Sequence, residues 1–292
     1  MPAVPVTIEA DVVFGSGGGR DLRCDVYHPD LPDADLPAAI LFHGGGWRAG
    51  SRATLRDRAL ELASHGVVVV AAEYRLTGEA SWPAHIHDAK AALRWARANA
   101  AHLHAHPDRI ALIGFSAGAQ LALLAAGTPG HAAFSGEGGH AGIDEAVNAV
   151  VGFFPPIRFV PGAERTNEGV PASAGDSLGP GLTEEALRLA SPITHVSLAY
   201  PPTLLLHGTA DEVIAYRSSV TLFEALHSAG VRADLRLYDG LRHEFVRMDG
   251  VMQLCMADVA LFLQRTLVDP ARFDVPQEVL FGRPAAAEGG SR

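Results

Sequence analysis

A serine stands between two glycines where an apolar strand runs into an Ala/Leu-rich helix, in the segment Leu112-Ile-Gly-Phe-Ser-Ala-Gly-Ala-Gln-Leu-Ala122. Glycine has no Cβ, so the helix and a neighbouring strand can approach closely while Ser116 is held in a strained turn. The hydroxyl of Ser116 would then project from the end of the strand, where it could attack a carbonyl carbon. The same pattern also occurs where a serine merely caps a helix, so the role of Ser116 depends on its neighbours.

Three consecutive glycines end an earlier apolar strand, in the run Ala39-Ile-Leu-Phe-His-Gly-Gly-Gly-Trp47. Their backbone N–H groups could stabilise the negative charge that develops on a carbonyl oxygen during acyl transfer. We assign this oxyanion-hole role to Gly45 and Gly46, with the N–H group of Ala117 as a third donor. The alternative is a flexible Gly-rich linker, which is how we interpret residues 15–19, a turn between two strands.

An acid and a histidine follow the serine in the order expected for such a nucleophile. The apolar strand that starts at Thr203 breaks at Gly208 into a loop that carries Asp211, a suitable carboxylate to orient an imidazole. The adjacent Glu212 is the alternative acid, but neighbouring side chains at a strand end point in different directions, so we favour Asp211. His243 lies on a loop between a late strand and the last helix and is the candidate base.

Other histidines are numerous, since the chain contains 14. Five of them lie in or just after one amphipathic helix, where solvated polar positions explain them: His85, His87, His102, His104 and His106. No cysteine or carboxylate pattern completes a metal site around them. We therefore predict neither a metal nor a cofactor.

The ordered series of motifs resembles the α/β-hydrolase superfamily and, within it, esterases with a His-Gly-Gly-Gly motif. The similar groups are the hormone-sensitive-lipase-like carboxylesterases and the bifunctional feruloyl and acetyl-xylan esterases. The motifs that carry the resemblance are His43-Gly-Gly-Gly-Trp47, Glu73-Tyr-Arg-Leu76, Trp82-Pro-Ala84 with Asp88, Gly114-Phe-Ser-Ala-Gly118, Ser191-Pro192, His207-Gly-Thr-Ala-Asp211 and His243-Glu-Phe245. They extend over residues 20–267.

The resemblance implies a serine ester hydrolase that acts through an acyl-enzyme. Ser116 would be the nucleophile, Asp211 the acid and His243 the base. It also implies an ion pair between Arg75 and a carboxylate such as Asp88, which would maintain the fold and take no part in catalysis.

Three segments depart from the common pattern of these families and leave the substrate open. Glu73 stands where many relatives have Asp, Thr77-Gly-Glu79 where they have Ala-Pro-Glu, and Ala119-Gln120 where they have Gly-His or Gly-Asn. The motifs place Trp47 and Phe115 beside the site, and we expect both to wall a short acyl pocket. Short acyl esters, acetyl to butyryl, are then the expected substrates, with acetylated or feruloylated carbohydrates and aryl esters as candidates.

Three other functions are alternatives to ester hydrolysis for a chain with these motifs. An arylformamidase-like amidase would need the same three residues, so only substrate kinetics separate it from an esterase. A peptidase of the prolyl-oligopeptidase type normally has a propeller domain, for which this chain has no room. A non-catalytic ligand receptor on the same fold would have lost a catalytic residue, whereas all three are present here.

The elements that would position these residues alternate along the chain. The patterns predict strands up to residue 43, followed by helix 52–65, strand 67–74, helix 83–102, strand 109–115, helix 117–127, strand 147–154 and a helix near 183–190. Strands separated by helices predict a mostly parallel central sheet with helices on both faces, the α/β-hydrolase fold. A Gly/Pro/Ser-rich insertion, residues 155–190, interrupts the alternation, and we expect a small partial cap there.

Composition is consistent with one large core. With 292 residues, 48% of them hydrophobic, the chain is predicted to form a single α/β domain over residues 1–268, followed by a tail, 269–292, with a flexible end. The net charge is −10, and no basic stripe could bind phosphates, which excludes nucleic acid as an expected partner. The expected partner is a small-molecule ester, and a homodimer is left open.

Location is inferred from the absence of targeting patterns. The amino terminus has neither a basic start nor an apolar run of signal-peptide length, and we expect no stretch to reach the ~18 apolar residues of a membrane span. We therefore expect a cytoplasmic protein. Cys24 and Cys255 lie in a strand pattern and a helix pattern, which favours packing roles over a disulfide.

Overall fold

The computed structural model describes residues 4–31, 35–160 and 175–274. The strands are β1 Val6–Gly17, β2 Arg20–Pro29, β3 Leu36–Phe42, β4 Val68–Ala72, β5 Ala105–Phe115, β6 Ala149–Phe153, β7 Thr203–Gly208 and β8 Ala233–Tyr238. The α-helices with described bounds are α1 Arg56–Ser64, α2 Ala84–Ala98, α3 Ala117–Gly127, α4 Ala132–Ser135, α5 Glu184–Ala190, α6 Arg217–Ser228 and α7 Val251–Leu263.

All eight strands form one sheet, in the order β1-β2-β4-β3-β5-β6-β7-β8. The pairs β1–β2 and β2–β4 are antiparallel, and every other neighbouring pair is parallel. The central strands are apolar and buried along nearly their whole length, as strands covered on both faces must be. The predicted mostly parallel sheet is confirmed.

Helices cover both faces of the sheet, as predicted. On one face α2, α3 and α6 pack through Leu93, Leu121 and Leu222, and on the other α1 and α7 pack through Leu62 and Val259. Successive side chains of β5 alternate between these two clusters. This alternation determines whether the side chain next to Ser116 points into the core or toward the surface.

The strand order changes direction at β3, because β4 and β5 lie on its two sides. In open α/β sheets, ligands bind beyond the carboxyl ends of the strands next to such a switch point. The glycine loop after β3 and Ser116 after β5 leave the sheet at this position. The topology therefore brings the two motifs together from distant parts of the chain.

Several boundaries differ from the predicted ones. Strand β5 begins earlier, at Ala105, a 3₁₀ turn from Arg52 to Leu55 precedes α1, and the short α4 was not predicted. Residues 161–174 of the insertion and residues 275–292 of the tail lie outside the described residues, so the predictions of a cap and a flexible end are only partly covered.

One helix differs from the expectation that no membrane-length apolar stretch exists. Helix α7 continues as a π-helical turn, and residues 251–268 are, among the described residues, the one helix long and apolar enough to cross a membrane. Its Met256, Val259 and Leu263 are buried against the sheet. Core helices of this kind meet the same length and hydropathy criterion because they pack an apolar face against a sheet.

Candidate active site

Loops at the carboxyl ends of β5, β7 and β8 bring Ser116, Asp211 and His243 together. Oγ of Ser116 lies 3.0 Å from Nε2 of His243, and Nδ1 of the same ring lies 2.6 Å from Oδ2 of Asp211. Because Nδ1 faces a carboxylate, we assign the ring proton to it, which leaves the Nε2 lone pair to accept a hydrogen bond from Ser116. The imidazole can therefore remove the hydroxyl proton, and the carboxylate can stabilise the imidazolium that results.

The backbone at Ser116 is strained in the way that the two glycines predicted. Ser116 has φ 53° and ψ −115°, and its N–H donates to the carbonyl oxygen of Phe153 at 3.0 Å. A Cβ on Gly114 would lie 2.1 Å from the carbonyl oxygen of Gly118, and a Cβ on Gly118 would lie 2.2 Å from that of Phe42. No side chain fits at either glycine, so α3 can pack directly against β3 and β5.

Asp211, and not Glu212, is the carboxylate that the structure places at the imidazole. The Asp211 side chain is buried, and its Oδ1 accepts hydrogen bonds from the N–H groups of Val213 and Ile214, both at 2.9 Å. The Glu212 side chain is 76% exposed, with its carboxylate 3.8 Å from Arg242. The adjacent side chains thus point in different directions, as expected at the end of a strand.

A second histidine, His207, contacts the same carboxylate and was not singled out by the sequence. Its Nε2 lies 3.2 Å from Oδ2 of Asp211 and 2.9 Å from the carbonyl oxygen of Ile214, while Nδ1 lies 2.8 Å from Oγ of Ser219. Burial raises the pKa of Asp211, but hydrogen bonds from His207 and His243 outweigh it, and the pKa ends well below its ordinary value. The available signal was the spacing of His207 and Asp211, four residues apart.

The glycine loop presents backbone donors beside Ser116. Gly45 and Gly46 have φ 119° and 60°, and a Cβ on Gly45 would lie 2.1 Å from the carbonyl oxygen of Ala49. The N–H groups of Gly45, Gly46 and Ala117 find no acceptor within the described part of the chain. Ala117 is the first residue of α3, where N–H groups lack intrahelical partners and the helix dipole is positive. The three predicted donors are therefore available to an anionic oxygen.

A cavity of about 500 Å³ opens beside Ser116 and His243. Trp47 lines it, as predicted, together with Pro156 and Ile214. The Trp47 side chain is fixed by Gln120, which accepts a hydrogen bond from Nε1 of Trp47 at 3.1 Å and donates one to the carbonyl oxygen of Ala190 at 2.7 Å. Gln120 stands at one of the positions that depart from the related families.

Phe115 does not line this cavity, which corrects the sequence-based assignment. Its side chain is 0% exposed and stacks on Phe153 with ring centroids 4.7 Å apart, in the cluster beneath α1 and α7. The reason is the alternation along β5, which directs the side chain before Ser116 into the core. Phe115 instead supports Arg58, whose Cζ lies 4.5 Å from the centre of the ring.

Charged side chains that no sequence motif indicated also line the cavity. Arg58 of α1 and Arg247 both contact the carboxylate of Glu244, the residue that follows His243. Burial lowers the pKa of Arg58, and Glu244 acts in the opposite direction. The cavity therefore has an ionic wall in addition to its apolar one.

The ion pair expected from the family resemblance lies away from the cavity and is confirmed. Arg75 donates from Nη2 to Oδ1 of Asp88 at 2.8 Å and from Nε to Oδ2 at 2.9 Å. The Asp88 side chain is 1% exposed. This pair joins the segment after β4 to α2, which suits a role in the fold.

The described residues contain no group of three or more His, Cys, Asp and Glu side chains placed to hold a metal ion. Cys24 and Cys255 are both free and buried, in agreement with packing roles. Burial raises the pKa of Cys255 to about 11, so its thiol is not ionised near neutral pH.

Comparison with known proteins gives relatives of one kind. The BD-FAE family profile matches residues 24–226. The chain is 33% identical to Esterase LipC of Mycobacterium tuberculosis over 259 residues, which are 84% of this chain and 62% of LipC. It spans between 48% and 62% of the length of LipC and two further ester hydrolases of that organism.

Solved structures agree with this similarity. A truncated carbohydrate esterase from gut microbiota matches with a TM-score of 0.76 and 27% identity, over 87% of this chain and 96% of that one. Butyrate-bound esterase Est2 of Thermogutta terrifontis matches with a TM-score of 0.74 and 29% identity, over 90% of this chain and 94% of that one. The same Est2 has also been obtained phosphonylated by sarin.

Proposed function

Because the chain belongs to the BD-FAE family within the α/β-hydrolase superfamily, we propose that it hydrolyses carboxylic esters through an acyl-enzyme on Ser116. One observation carries the proposal: the hydrogen-bonded series from Ser116 through His243 to Asp211, with contacts of 3.0 and 2.6 Å. This series connects a nucleophile, a base and an orienting acid in the order that acyl transfer requires.

The reaction follows from the contacts. Nε2 of His243 takes the hydroxyl proton of Ser116 while Oγ bonds to the ester carbonyl carbon, and the carbonyl oxygen becomes an oxyanion. When the carbonyl re-forms, the bond to the alcohol breaks and the alcohol leaves with the proton from Nε2. Water then repeats the sequence on the acyl-enzyme, which releases the carboxylic acid and restores Ser116. Asp211 keeps the imidazole in the required tautomer throughout.

The oxyanion would be held by the N–H groups of Gly45, Gly46 and Ala117. These donors need not break other hydrogen bonds when charge develops on the oxygen, because they have no acceptor within the described residues. Preorganised donors of this kind are worth about 3–4 kcal/mol each in the transition state.

The preferred acyl group in this proposal is short, from acetyl to butyryl. Trp47, held by Gln120 and packed against Phe159 with ring centroids 5.7 Å apart, limits the cavity on one side. The binding of butyrate by Est2 supports the same range. Acetylated or feruloylated carbohydrates and aryl esters are the substrate classes that we favour, by analogy with the carbohydrate esterase relative.

The insertion would act as a partial rim of the site. The carbonyl oxygen of Ser177, a cavity residue, accepts a hydrogen bond from Oγ1 of Thr77 at 2.6 Å, and that of Asp176 accepts one from Arg48 at 3.0 Å. These contacts tie the described end of the insertion to the segments after β3 and β4. We also propose that residues 1–268 form a single domain and that the protein is cytoplasmic.

Hydrolysis of p-nitrophenyl acetate by the purified protein tests the proposal directly. We expect Ser116→Ala to keep its circular dichroism spectrum and to lose at least a thousandfold in kcat, and an organophosphate to label the wild type at Ser116 alone. Ser64→Ala, at the end of α1, is the matched control and should keep full activity. A Ser116→Ala enzyme with a tenth of the wild-type kcat would refute the assignment.

The same assay separates the alternatives. Faster turnover of N-formylkynurenine than of any ester would favour an arylformamidase-like amidase. A folded protein that neither hydrolyses esters nor reacts with the organophosphate would favour a ligand receptor.

A further inference from the structure

A buried arginine on the cavity wall has donors left over. The side chain of Arg58 is 5% exposed and lines the cavity that contains Ser116. A guanidinium has five N–H donors. Within the described residues, the one hydrogen bond of this group runs from Nη2 to Oε2 of Glu244 at 3.2 Å.

The position of Arg58 is set by the strand that carries the nucleophile. Its Cζ lies 4.5 Å from the centre of the Phe115 ring, and Phe115 directly precedes Ser116. Stacking on an aromatic face holds the guanidinium plane and leaves its edges for hydrogen bonds. The group is therefore preorganised beside the reacting centre.

More guanidiniums than carboxylates are bonded together on this wall. Oε2 of Glu244 lies 3.2 Å from Arg58 and also accepts a hydrogen bond from Nε of Arg247 at 2.8 Å, so two guanidiniums share one carboxylate. Asp211, the other carboxylate of the site, is already bonded to two histidines. Asp57, exposed on α1, also acts electrostatically on Arg58, and Arg247 is 63% exposed, but within the described residues the two guanidiniums share a single bonded carboxylate.

Glu244 and Ser116 both lie next to the glycine loop. A Cβ built on Gly44 would be 2.9 Å from Oε1 of Glu244 and 3.3 Å from Cβ of Ser116. The two side chains are therefore separated by no more than the sum of these distances. A group that reaches the ionic wall would be only a few atoms away from the carbonyl carbon attacked by Ser116.

We propose that Arg58, with Arg247 and Glu244, forms a subsite for a carboxylate carried by the ester substrate, a few bonds from the scissile carbonyl. This inference rests on the proposed ester hydrolysis and narrows its substrate class. A second carboxylate would complete two ion pairs for two guanidiniums, and bidentate contact with the planar fork of Arg58 would orient it. The carboxylate could belong to the acyl part or to the alcohol part.

A purely structural role for Arg58 would have different consequences. Arg58 connects α1 to the loop that follows His243, and such a tie would affect all esters equally. A carboxylate subsite instead changes the ratio of kcat/KM between an acid and its neutral isostere. Removal of the charge of Arg58 and removal of the charge of Glu244 should also change this ratio in opposite directions, because Arg58 attracts the substrate carboxylate and Glu244 competes with it.

Two substrate pairs distinguish the acyl and alcohol sources. Monomethyl succinate and methyl succinamate differ only by a carboxylate or an amide on the acyl part, and 4-acetoxybenzoate and 4-acetoxybenzamide differ in the same way on the alcohol part. In the wild type we expect kcat/KM to favour the carboxylate about tenfold in one pair, by chromatographic measurement of product at low ionic strength. The pair that shows the preference tells whether the carboxylate belongs to the acyl part or to the alcohol part of the substrate.

Three variants test the residues. Arg58→Met should bring the ratio of kcat/KM between acid and amide close to one, and Glu244→Gln should raise this ratio severalfold. Arg265 is paired with Asp234 at the amino end of β8, so Arg265→Met is the control and should leave the ratio unchanged. If Arg58→Met does not fold, the effect of Glu244→Gln decides the question, together with stronger inhibition of the wild type by succinate than by succinamide.

The outcomes also separate this inference from the proposed function. Turnover of the neutral esters and of p-nitrophenyl acetate with equal kcat/KM for acid and amide in both pairs would overturn the carboxylate subsite alone. A preference that survives in Arg58→Met, or that falls in Glu244→Gln, would overturn it as well. No turnover of any ester would overturn the proposed ester hydrolysis.

Discussion

Replacement of Asp211 by asparagine removes one acceptor from the centre of the site without changing its shape. Oδ1 of Asp211 accepts the N–H groups of Val213 and Ile214, so the amide oxygen of an asparagine must stay at that position. The amide nitrogen then takes the place of Oδ2 and points donors at the imidazole of His243. Nδ1 of His243 can only accept from such a group, and the ring proton moves to Nε2.

The cost follows from this change of tautomer. With a proton on Nε2, His243 cannot accept the proton of Ser116, whose oxygen is 3.0 Å away. The same substitution in a serine protease lowers kcat about 10⁴-fold, which corresponds to about 5 kcal/mol of transition-state stabilisation. Nε2 of His207 also loses its contact with the carboxylate at 3.2 Å, so the free energy of unfolding should fall by about 1.5–3 kcal/mol.

The assay compares kcat for p-nitrophenyl acetate and urea denaturation in the wild type, Asp211→Asn and Glu212→Gln. Glu212 is the matched control because it is adjacent and 76% exposed. We expect Asp211→Asn to lose about 10⁴-fold in kcat, and Glu212→Gln to change it less than twofold. A kcat for Asp211→Asn within tenfold of the wild type, or a larger loss in Glu212→Gln, would refute the reasoning and move the acid to Glu212.

Three further measurements test the acyl pocket and the buried charges. In a series of p-nitrophenyl esters with acyl chains of two to sixteen carbons, kcat/KM should peak between two and four, and a peak at ten or beyond would contradict a short pocket. Glu145 accepts hydrogen bonds from buried Lys90 at 2.7 Å and Arg94 at 2.6 Å, so Glu145→Ala should lower the free energy of unfolding by about 3–5 kcal/mol, whereas exposed Glu185→Ala should change it little in the same urea titration. His85 is buried, and not solvated as its place in the amphipathic helix predicted, and burial lowers its pKa from 6.5 to about 4. The unfolded chain therefore takes up a proton that the folded protein excludes, so stability should fall between pH 6.5 and pH 4 by up to about 3 kcal/mol. His85→Gln should lose that part of the pH dependence, and an unchanged profile would argue against it.

The position of the three central residues could be predicted because each follows a strand of the parallel sheet. Gly114 and Gly118 indicate the turn at Ser116 in sequence, since no side chain fits at either position. Asp211 and His243 come after the next apolar strands, and parallel strands end at the same edge of a sheet. The order of elements therefore predicted the convergence without knowledge of any distance.

Other residues of the site could not be predicted, because their role depends on side-chain direction. Phe115 precedes Ser116 in sequence, yet the pleat of β5 points it into the core and away from the cavity. Arg58 lies in a helix of mixed charge, where an arginine reads as a solvated position, and only the packing of α1 on Phe115 brings it to the cavity. In the sequence His207 is only the last polar residue of an apolar strand, and its contact with Asp211 becomes evident from the structure alone.

Backbone strain is concentrated where the proposed chemistry takes place. Four non-glycine residues with positive φ stand at the site: Trp47 at 60°, Ser116 at 53°, Phe154 at 41° and Glu244 at 60°. Each such residue costs about 1–3 kcal/mol, so the arrangement persists only where surrounding contacts determine it. The N–H groups of Ser116 and Phe154 donate to β6 and β7 respectively, at 3.0 and 2.8 Å.

The other two strained residues are held through their side chains, and this connects the rigidity of the site to its specificity. Trp47 is fixed by Gln120 of α3, and Glu244 by Arg58 of α1, so the walls of the cavity are tied to the two helices that flank the nucleophile. Donors and walls that are set by the fold need no reorganisation when charge develops on the substrate. In the proposed carboxylate subsite, the same rigidity would favour substrates that carry a carboxylate, because Arg58 is already held beside the cavity by Phe115 and Glu244.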